Sequence, residues 1–337
     1  LEMLRPGRIL MYTPLKSTRL ATGEPFEIGV VLTPEATFRS RVVPFLGHKP
    51  GNFQWHFECA FEPGRISDLE TRFYLGLLDE TPICNIMTVE YDGIGILGHV
   101  YTRPEHRRKG ACRLVMTEQM ADFGRRNGRY LTLGTWFQSH PYWIYHGFGF
   151  RSISSDSGFM CYRASDTFET EYFVSADVNI VKPTWKDWPT MNVLCTHRGP
   201  PYLRNVAFEL YGQKNFEGGF LTFLKGIEEN PIRDARILRS ATGAIVGYAM
   251  IQPDRRWAEQ TLLLDLYLHP QYTSHAFALL QSLPLPENIK IQSFTENDTD
   301  WKIAALLAEG FEHEATFQNQ FEYESRPVDV EIYGRGP

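Results

Sequence analysis

Long apolar stretches are missing from this chain of 337 residues. No run of about 18 successive apolar residues occurs, so no transmembrane helix is expected. No signal peptide shows at the start, and Leu1-Glu2 ahead of Met3 reads as a remnant of cloning. Cysteine is sparse: Cys59, Cys84, Cys112, Cys161 and Cys195 are scattered and odd in number. They form neither a disulfide framework nor a CxxC metal pair, which makes a reducing cytoplasm the default compartment. His48, His56 and Cys59 match no familiar ligand spacing, so no metal is expected. There is no GxxxxGKS/T phosphate loop and no GxSxG nucleophile elbow. Excess positive charge is also absent. A formal net charge of -6 makes a poor general binder of nucleic acid, and Arg107, Arg108 and Lys109 are too few to reverse that.

What is there fits a folded globular protein with room for two domains: 43% hydrophobic and 22% charged residues. The most informative stretch is Pro104-Glu105-His106-Arg107-Arg108-Lys109-Gly110-Ala111-Cys112. It reads as a strand end, a basic glycine-containing loop and a helix start. Such a loop turns several backbone N–H groups toward one spot, with the positive end of the helix dipole behind them. That is an anion cradle suited to a pyrophosphate.

The surrounding pattern is mixed α and β. Arg72 to Leu78, Ile83 to Tyr91 and Ile94 to Thr102 read as strands, with Asp92-Gly93 as a two-residue hairpin turn. Gly95 and Gly98 suggest a bulge or a close approach by a ligand. The helix from Ala111 carries Leu114, Val115, Met116, Met120, Ala121 and Phe123 on a broad apolar face and stops at Gly128. Tyr130 to Thr135 is the next strand, which completes a βαβ unit with neighbouring parallel strands. A short helix spans His140 to His146, and a strand lies near Phe150.

The domain boundary is expected near Ser175, giving domains 1–175 and 176–337. The second half repeats the plan: a strand at Val178 to Val181, paired strands at Ala244 to Gln252 and Thr261 to Leu268, a helix with Ala276 to Leu280, a strand at Ile289 to Phe294, and a helix at Asp300 to Leu307. His269-Pro270 stands where Arg103-Pro104 stood, and Pro270 precedes Ala276 by the offset that separates Pro104 from Gly110. This is the mark of an internal repeat with a worn second copy.

The loop and a later Tyr145-His146-Gly147-Phe148-Gly149-Phe150 resemble the GCN5-related N-acetyltransferase (GNAT) superfamily. On its signature Q/R-x-x-G-x-G/A fall Arg107, Gly110 and Cys112, the last a departure from Gly or Ala. Tyr145 stands four residues before Gly149-Phe150, as in the family's second signature, and Gln138 stands where an Asn is often found. The resemblance covers residues 8 to 170 well and 176 to 325 only in architecture. It implies an α/β fold of two tandem domains, each a mixed, mostly antiparallel sheet flanked by helices. In the second copy the signature positions are Thr273, Ala276, Ala278 and Leu306, so it is expected to lack both the cradle and the acid and to be structural or substrate-shaping.

The resemblance further implies an acetyl-CoA-dependent N-acetyltransferase. Its acetyl carbonyl would lie beside the backbone of Tyr101, Thr102 and Arg103. The amides of Arg108, Lys109, Gly110, Ala111, Cys112 and Arg113 would hold the pyrophosphate, aided by the side chains of Arg107, Arg108 and Lys109. Tyr145 is the candidate general acid for the leaving thiolate. The base is open among His99, His140, Glu90, residues elsewhere and water, and strand parity puts His99 on the face opposite Thr102. Cys112 at a helix start has reason for a lowered thiol pKa, but is not expected as a nucleophile. The run Pro141 to Tyr145 either lines an acceptor pocket or packs its own helix. The acceptor is a small amine, with an acidic balance that weakly favours cations by long-range attraction. Rival readings are a non-catalytic acyl-CoA sensor, acyl transfer to a carrier thiol, and loss of carbon dioxide from a malonyl thioester. Neither nucleic acid nor membrane is expected as a partner, and the oligomeric state is open.

Overall fold

The structure is a computed structural model that describes residues 12–66 and 68–337; Leu1-Glu2-Met3 lies outside the described residues. The chain divides into one compact unit ending at Phe150 and another spanning Arg151–Pro337. Both contain mixed sheets flanked by helices, the α/β class expected. Among the described residues no helix is long and apolar enough to cross a membrane.

The first unit comprises β1 (Tyr12–Arg19), β2 (Pro25–Leu32), α1 (Ala36–Phe45), α2 (Gly51–Phe61), β3 (Glu70–Leu78), β4 (Thr81–Tyr91), β5 (Ile94–Thr102), α3 (Ala111–Arg125), β6 (Tyr130–Gly134) and α4 (His140–Gly147). Its strands lie side by side in chain order. Every pair is antiparallel except β5 with β6, which is parallel and bridged by α3. Asp92 and Gly93 both take positive φ (50° and 71°), the turn that the Asp-Gly pair predicts. The parallel register runs only from Ile94 opposite Tyr130 to Ile96 opposite Thr132, and then the strands part. The predicted bulge lies just beyond. Met87 faces Gly98 and Asn85 faces Tyr101, which leaves one extra residue on β5. His99 absorbs it with φ 51°, and Asn85 Nδ2 steadies it by donating to the His99 carbonyl at 3.0 Å. Gly95 serves close packing instead: a Cβ there would meet the Leu131 side chain at 2.8 Å and the Val89 carbonyl at 2.9 Å.

Helix α3 buries Ala111, Val115, Met116, Gln119 and Phe123. Of the stripe read from the sequence Val115, Met116 and Phe123 are buried, Leu114 and Met120 are half-buried and Ala121 is exposed, so the face is narrower than expected. Its end differs slightly from expectation, because Asn127 (φ 59°) takes the left-handed turn ahead of Gly128. A polar network pins this end. Arg126 donates to Glu90 on β4 (2.5 and 3.0 Å), to Asp122 (3.0 Å) and to the Tyr74 hydroxyl on β3 (3.0 Å). Tyr74 donates in turn to Asp122 at 2.8 Å. Glu90 is buried, and the Arg126 guanidinium supplies its ion-pair partner.

The second unit comprises β7 (Arg151–Ser152), β8 (Phe159–Arg163), α5 (Phe168–Tyr172), β9 (Val178–Val181), α6 (Asp187–Thr196), β10 (Leu203–Asn205), β11 (Leu210–Tyr211), α7 (Glu217–Glu229), β12 (Asp234–Ser240), β13 (Ile245–Pro253), β14 (Thr261–Leu268), α8 (Ala276–Gln281), β15 (Lys290–Glu296), α9 (Asp300–Ala308), β16 (Glu312–Tyr323) and β17 (Arg326–Arg335). A seven-stranded sheet runs β16-β17-β15-β14-β13-β12-β9. It is antiparallel except for β14 with β15, whose parallel register ends at Leu264 opposite Ser293. The repeat read from the sequence is therefore present in the strand plan: antiparallel neighbours, then one parallel pair joined through a helix.

Strand β10 lies against both β14 and β15 where they part. The Glu296 carboxylate accepts from the Leu203 amide, and the Asp265 carboxylate accepts from Val206 and Ala207 at 2.7 and 3.3 Å. Leu203 joins Leu263, Phe294, Val330 and Ile332 in one apolar cluster. Buried Arg204 donates to the carbonyls of Cys195, His197 and Gly199 and so satisfies the end of α6.

Candidate functional site

The site builds up from the loop between β5 and α3. Gly110 caps α3 with φ 85°, a left-handed turn that favours glycine. Arg108 also takes positive φ (60°). Among the described residues no backbone carbonyl accepts from the amides of Arg108 through Arg113, and no side chain caps the helix. These donors lie at the loop and at the positive end of a fifteen-residue helix. The β1–β2 turn braces the loop from behind. Ala21 donates to the Lys109 carbonyl at 3.0 Å, and Lys109 Nζ pairs with Glu24 at 3.0 Å. Hydrogen bonds from Thr22 and Lys109 hold the Glu24 carboxyl down to about 2.

The three basic side chains differ. Lys109 is committed to Glu24, and Arg107 Nε donates to the Thr102 carbonyl at 3.1 Å. Arg108 is exposed, with no side-chain partner among the described residues. The Cys112 departure has a local reason. Its thiol meets that of Cys84, to which the Thr102 hydroxyl also donates at 3.3 Å. A small side chain that turns inward thus links α3, β4 and β5. The hydrogen bond from Cys84 lowers the Cys112 thiol pKa, and giving that bond raises Cys84. A lowering is foreseen from the helix start; the one present comes from the neighbouring thiol instead, against the effect of burial.

Tyr101, Thr102 and Arg103 close β5 but point to different surroundings. Tyr101 packs edge-on against Phe45 (5.1 Å between centroids) and lies 4.3 Å from the His48 ring. Arg103 donates through Nε to the Pro82 carbonyl at 2.9 Å, and its guanidinium lies 5.2 Å from the Phe45 ring centre. Together with Arg41, Asp79, Glu80 and the end of α1 they line a cavity of about 670 Å³. His48 was set aside in the sequence as a metal ligand without partners. What brings it here is the α1–α2 connection, which residue spacing alone does not reveal. His48 is exposed; partial desolvation, with neighbouring Lys49, moves its pKa below the ordinary value, which favours the neutral ring at pH 7.

The other base candidates sit elsewhere. His99 is buried between Phe53 and Phe57 of α2, with ring centroids at 4.4 and 4.9 Å. Thr102 reaches Cys84 beside α3 instead, so the two residues do face apart. Burial pushes His99 well below its ordinary pKa, with Lys49 adding to the effect. Glu90 is tied up by Arg126 and Thr88. His140 is exposed at the start of α4 and lines a groove of about 300 Å³ with Arg113, Thr117, Trp143 and Phe148.

Ser139 caps α4, accepting from the Tyr142 amide at 3.3 Å, and Gln138 precedes it in an exposed left-handed turn (φ 56°). Tyr145 is buried on α4 against Phe150, with centroids 6.2 Å apart. The aromatic run is split, since Tyr142 and Tyr145 are buried whereas Trp143 is 55% exposed.

No protein-family model matches the chain, and no curated protein matches it. Solved structures similar to it include an N-acetyltransferase from Staphylococcus aureus Mu50 at 15% identity and a TM-score of 0.39, with 48% of this chain and 99% of that one covered. A ribosomal-protein-alanine N-acetyltransferase from Brucella melitensis is 16% identical at a TM-score of 0.38, covering 47% and 99%. An acetyltransferase from Salmonella typhimurium, solved with acetyl-CoA, is 14% identical at a TM-score of 0.38, covering 48% and 94%.

Proposed function

We propose that the unit ending at Phe150 binds acetyl-CoA and passes its acetyl group directly to an amine. One observation carries this reading: among the described residues no backbone carbonyl accepts from the six amides of Arg108 to Arg113, in the loop that follows β5, the strand that parts from β6. Amide donors at a helix start suit a diphosphate, and Arg108 adds an exposed charge. Arg113 and exposed Trp143 flank a groove suited to the nucleotide end. The parted strand β5 offers its backbone at Tyr101 to the thioester, since the Thr102 carbonyl is engaged by Arg107 and the Arg103 amide by Ile83.

The acceptor enters from the cavity at Tyr101. Its nitrogen attacks the thioester carbonyl, the carbon–sulfur bond breaks, and an amide and a thiolate form. We assign the amine's proton to His48, which favours its neutral form and lines that cavity. His99 is a weaker acceptor, because surroundings that keep a ring neutral also resist its protonation. Tyr145 is assigned the proton that the thiolate takes up. The domain boundary is proposed near Ser175, just ahead of β9, the first strand of the seven-stranded sheet.

Incubation with acetyl-CoA and pooled amines tests the reading. Free thiol released above the hydrolysis background supports it. Uptake of acetyl-CoA without thiol release from any amine favours a sensor, and no uptake sinks both.

A further inference from the structure

We infer that the acceptor amine also carries a carboxylate, as a free amino acid does; this rests on the transferase reading above. The cavity at Tyr101 measures about 670 Å³, ample for such a molecule. Two guanidinium groups line it, Arg41 and Arg103, and neither has a carboxylate partner among the described residues. Arg103 is held in place on three counts. Its amide donates to the Ile83 carbonyl at 2.9 Å, its Nε to the Pro82 carbonyl at 2.9 Å, and its plane lies by Phe45. These contacts use its Nε and fix its plane, so its two terminal nitrogens stand ready as a fork of the kind that takes a carboxylate through two bonds.

Arg41 is directed in the same manner. It lies 5.4 Å from the Phe38 ring centre, and one terminal nitrogen reaches the Glu80 carbonyl at 3.4 Å. Asp79 and Glu80 line the same cavity and are exposed, as Arg41 is, whereas Arg103 is half-buried and so is the less screened charge. His48 and Tyr101 stand together in the same cavity, where the amine must be deprotonated. A zwitterion matches this layout: its carboxylate on the guanidinium side, its nitrogen beside His48. A polycation matches it less well, since it would leave the half-buried Arg103 guanidinium without a carboxylate. The chain's acidic balance favours cations at long range, yet the local pair of guanidiniums governs what docks.

Matched acceptors provide the test: each α-amino acid against the amine left when its carboxylate is removed, with thiol release from acetyl-CoA as the readout. The acid is expected to be used with kcat/KM about 10–100-fold above its bare amine, the range for one charge-assisted contact. Arg103→Gln should narrow that ratio mainly by raising KM for the acid. Arg41→Gln, at an exposed position away from the Pro82 contact, should narrow it less and guards against a folding defect in the first variant. Calorimetric uptake of acetyl-CoA by both variants checks that they are folded. Equal or better use of the bare amines overturns the inference and leaves the transferase reading intact. Silence from all acceptors, with no uptake of acetyl-CoA, overturns both.

Discussion

Both units contain a parallel strand pair that separates partway along, and they treat the opening in opposite ways. In the first unit β5 and β6 part after Ile96 and Thr132, and among the described residues no backbone carbonyl accepts from the amides of Arg108 to Arg113 in the loop that follows β5. In the second, β14 and β15 part after Leu264 and Ser293, and the chain's own segment Leu203 to Ala207 is fastened there by Asp265 and Glu296. The same strand plan thus accommodates the proposed docking edge in one place and a filled core in the other. What differs is the supply of hydrogen-bond acceptors. The second unit places buried carboxylates where the amides of Leu203, Val206 and Ala207 reach them, so these donors are already paired.

The largest effect expected is on turnover in the first unit. Tyr145→Phe should lower kcat by on the order of 10²–10⁴ and leave acetyl-CoA affinity nearly unchanged; rapid kinetics with calorimetry would check it. Unchanged turnover would remove this phenol from the chemistry. The contrast can be attacked from the other side with Asp265→Ala. It strips two amides of their acceptor and leaves buried Lys302, whose pKa burial has already lowered to about 8, with less compensation. A loss of about 3 kcal/mol is expected in the denaturation of the second unit, with acetyl-CoA uptake by the first preserved.

Gly110→Val should weaken acetyl-CoA binding about tenfold by straining a left-handed turn, with no steric clash to blame, since nothing lies within 4 Å of the added Cβ. Titration should give one site per chain; a second site would break the contrast. The smallest effect is on pH dependence. A base must be deprotonated, so kcat/KM should climb as pH rises through the His48 pKa, which lies below its ordinary 6.5. His48→Gln should flatten that limb and cost about tenfold at neutral pH. A limb that persists in the variant would assign the base elsewhere.

Local signals in the sequence were strong wherever neighbours along the chain decide the structure. Val178–Val181 and Thr261–Leu268 were bounded to the residue, because β-branched and aliphatic runs flanked by turns leave little choice. The loop and α3 were legible from Gly110 and the apolar stripe. The elements before β3 were not. Helix α1 carries Pro44 within it and has little apolar periodicity, so neither it nor the meeting of His48 with Tyr101 could be foreseen. Gly95 and Gly98 announced a bulge yet did not show that His99 would form it, since register depends on the partner strand. The fastening of Leu203 to Ala207 was hidden for a similar reason. Asp265 looks like one polar residue in an apolar strand until the amides of a distant segment close on it.

The brace behind the loop has a consequence for anyone who trims this protein. The Lys109 carbonyl and ammonium are both held by the turn between β1 and β2, through Ala21 and Glu24. A fragment starting at β3 would retain every signature residue and still lose the aim of its amides. On the proposed reading, the smallest portion able to grip a nucleotide therefore includes β1 and β2 as well as the loop itself.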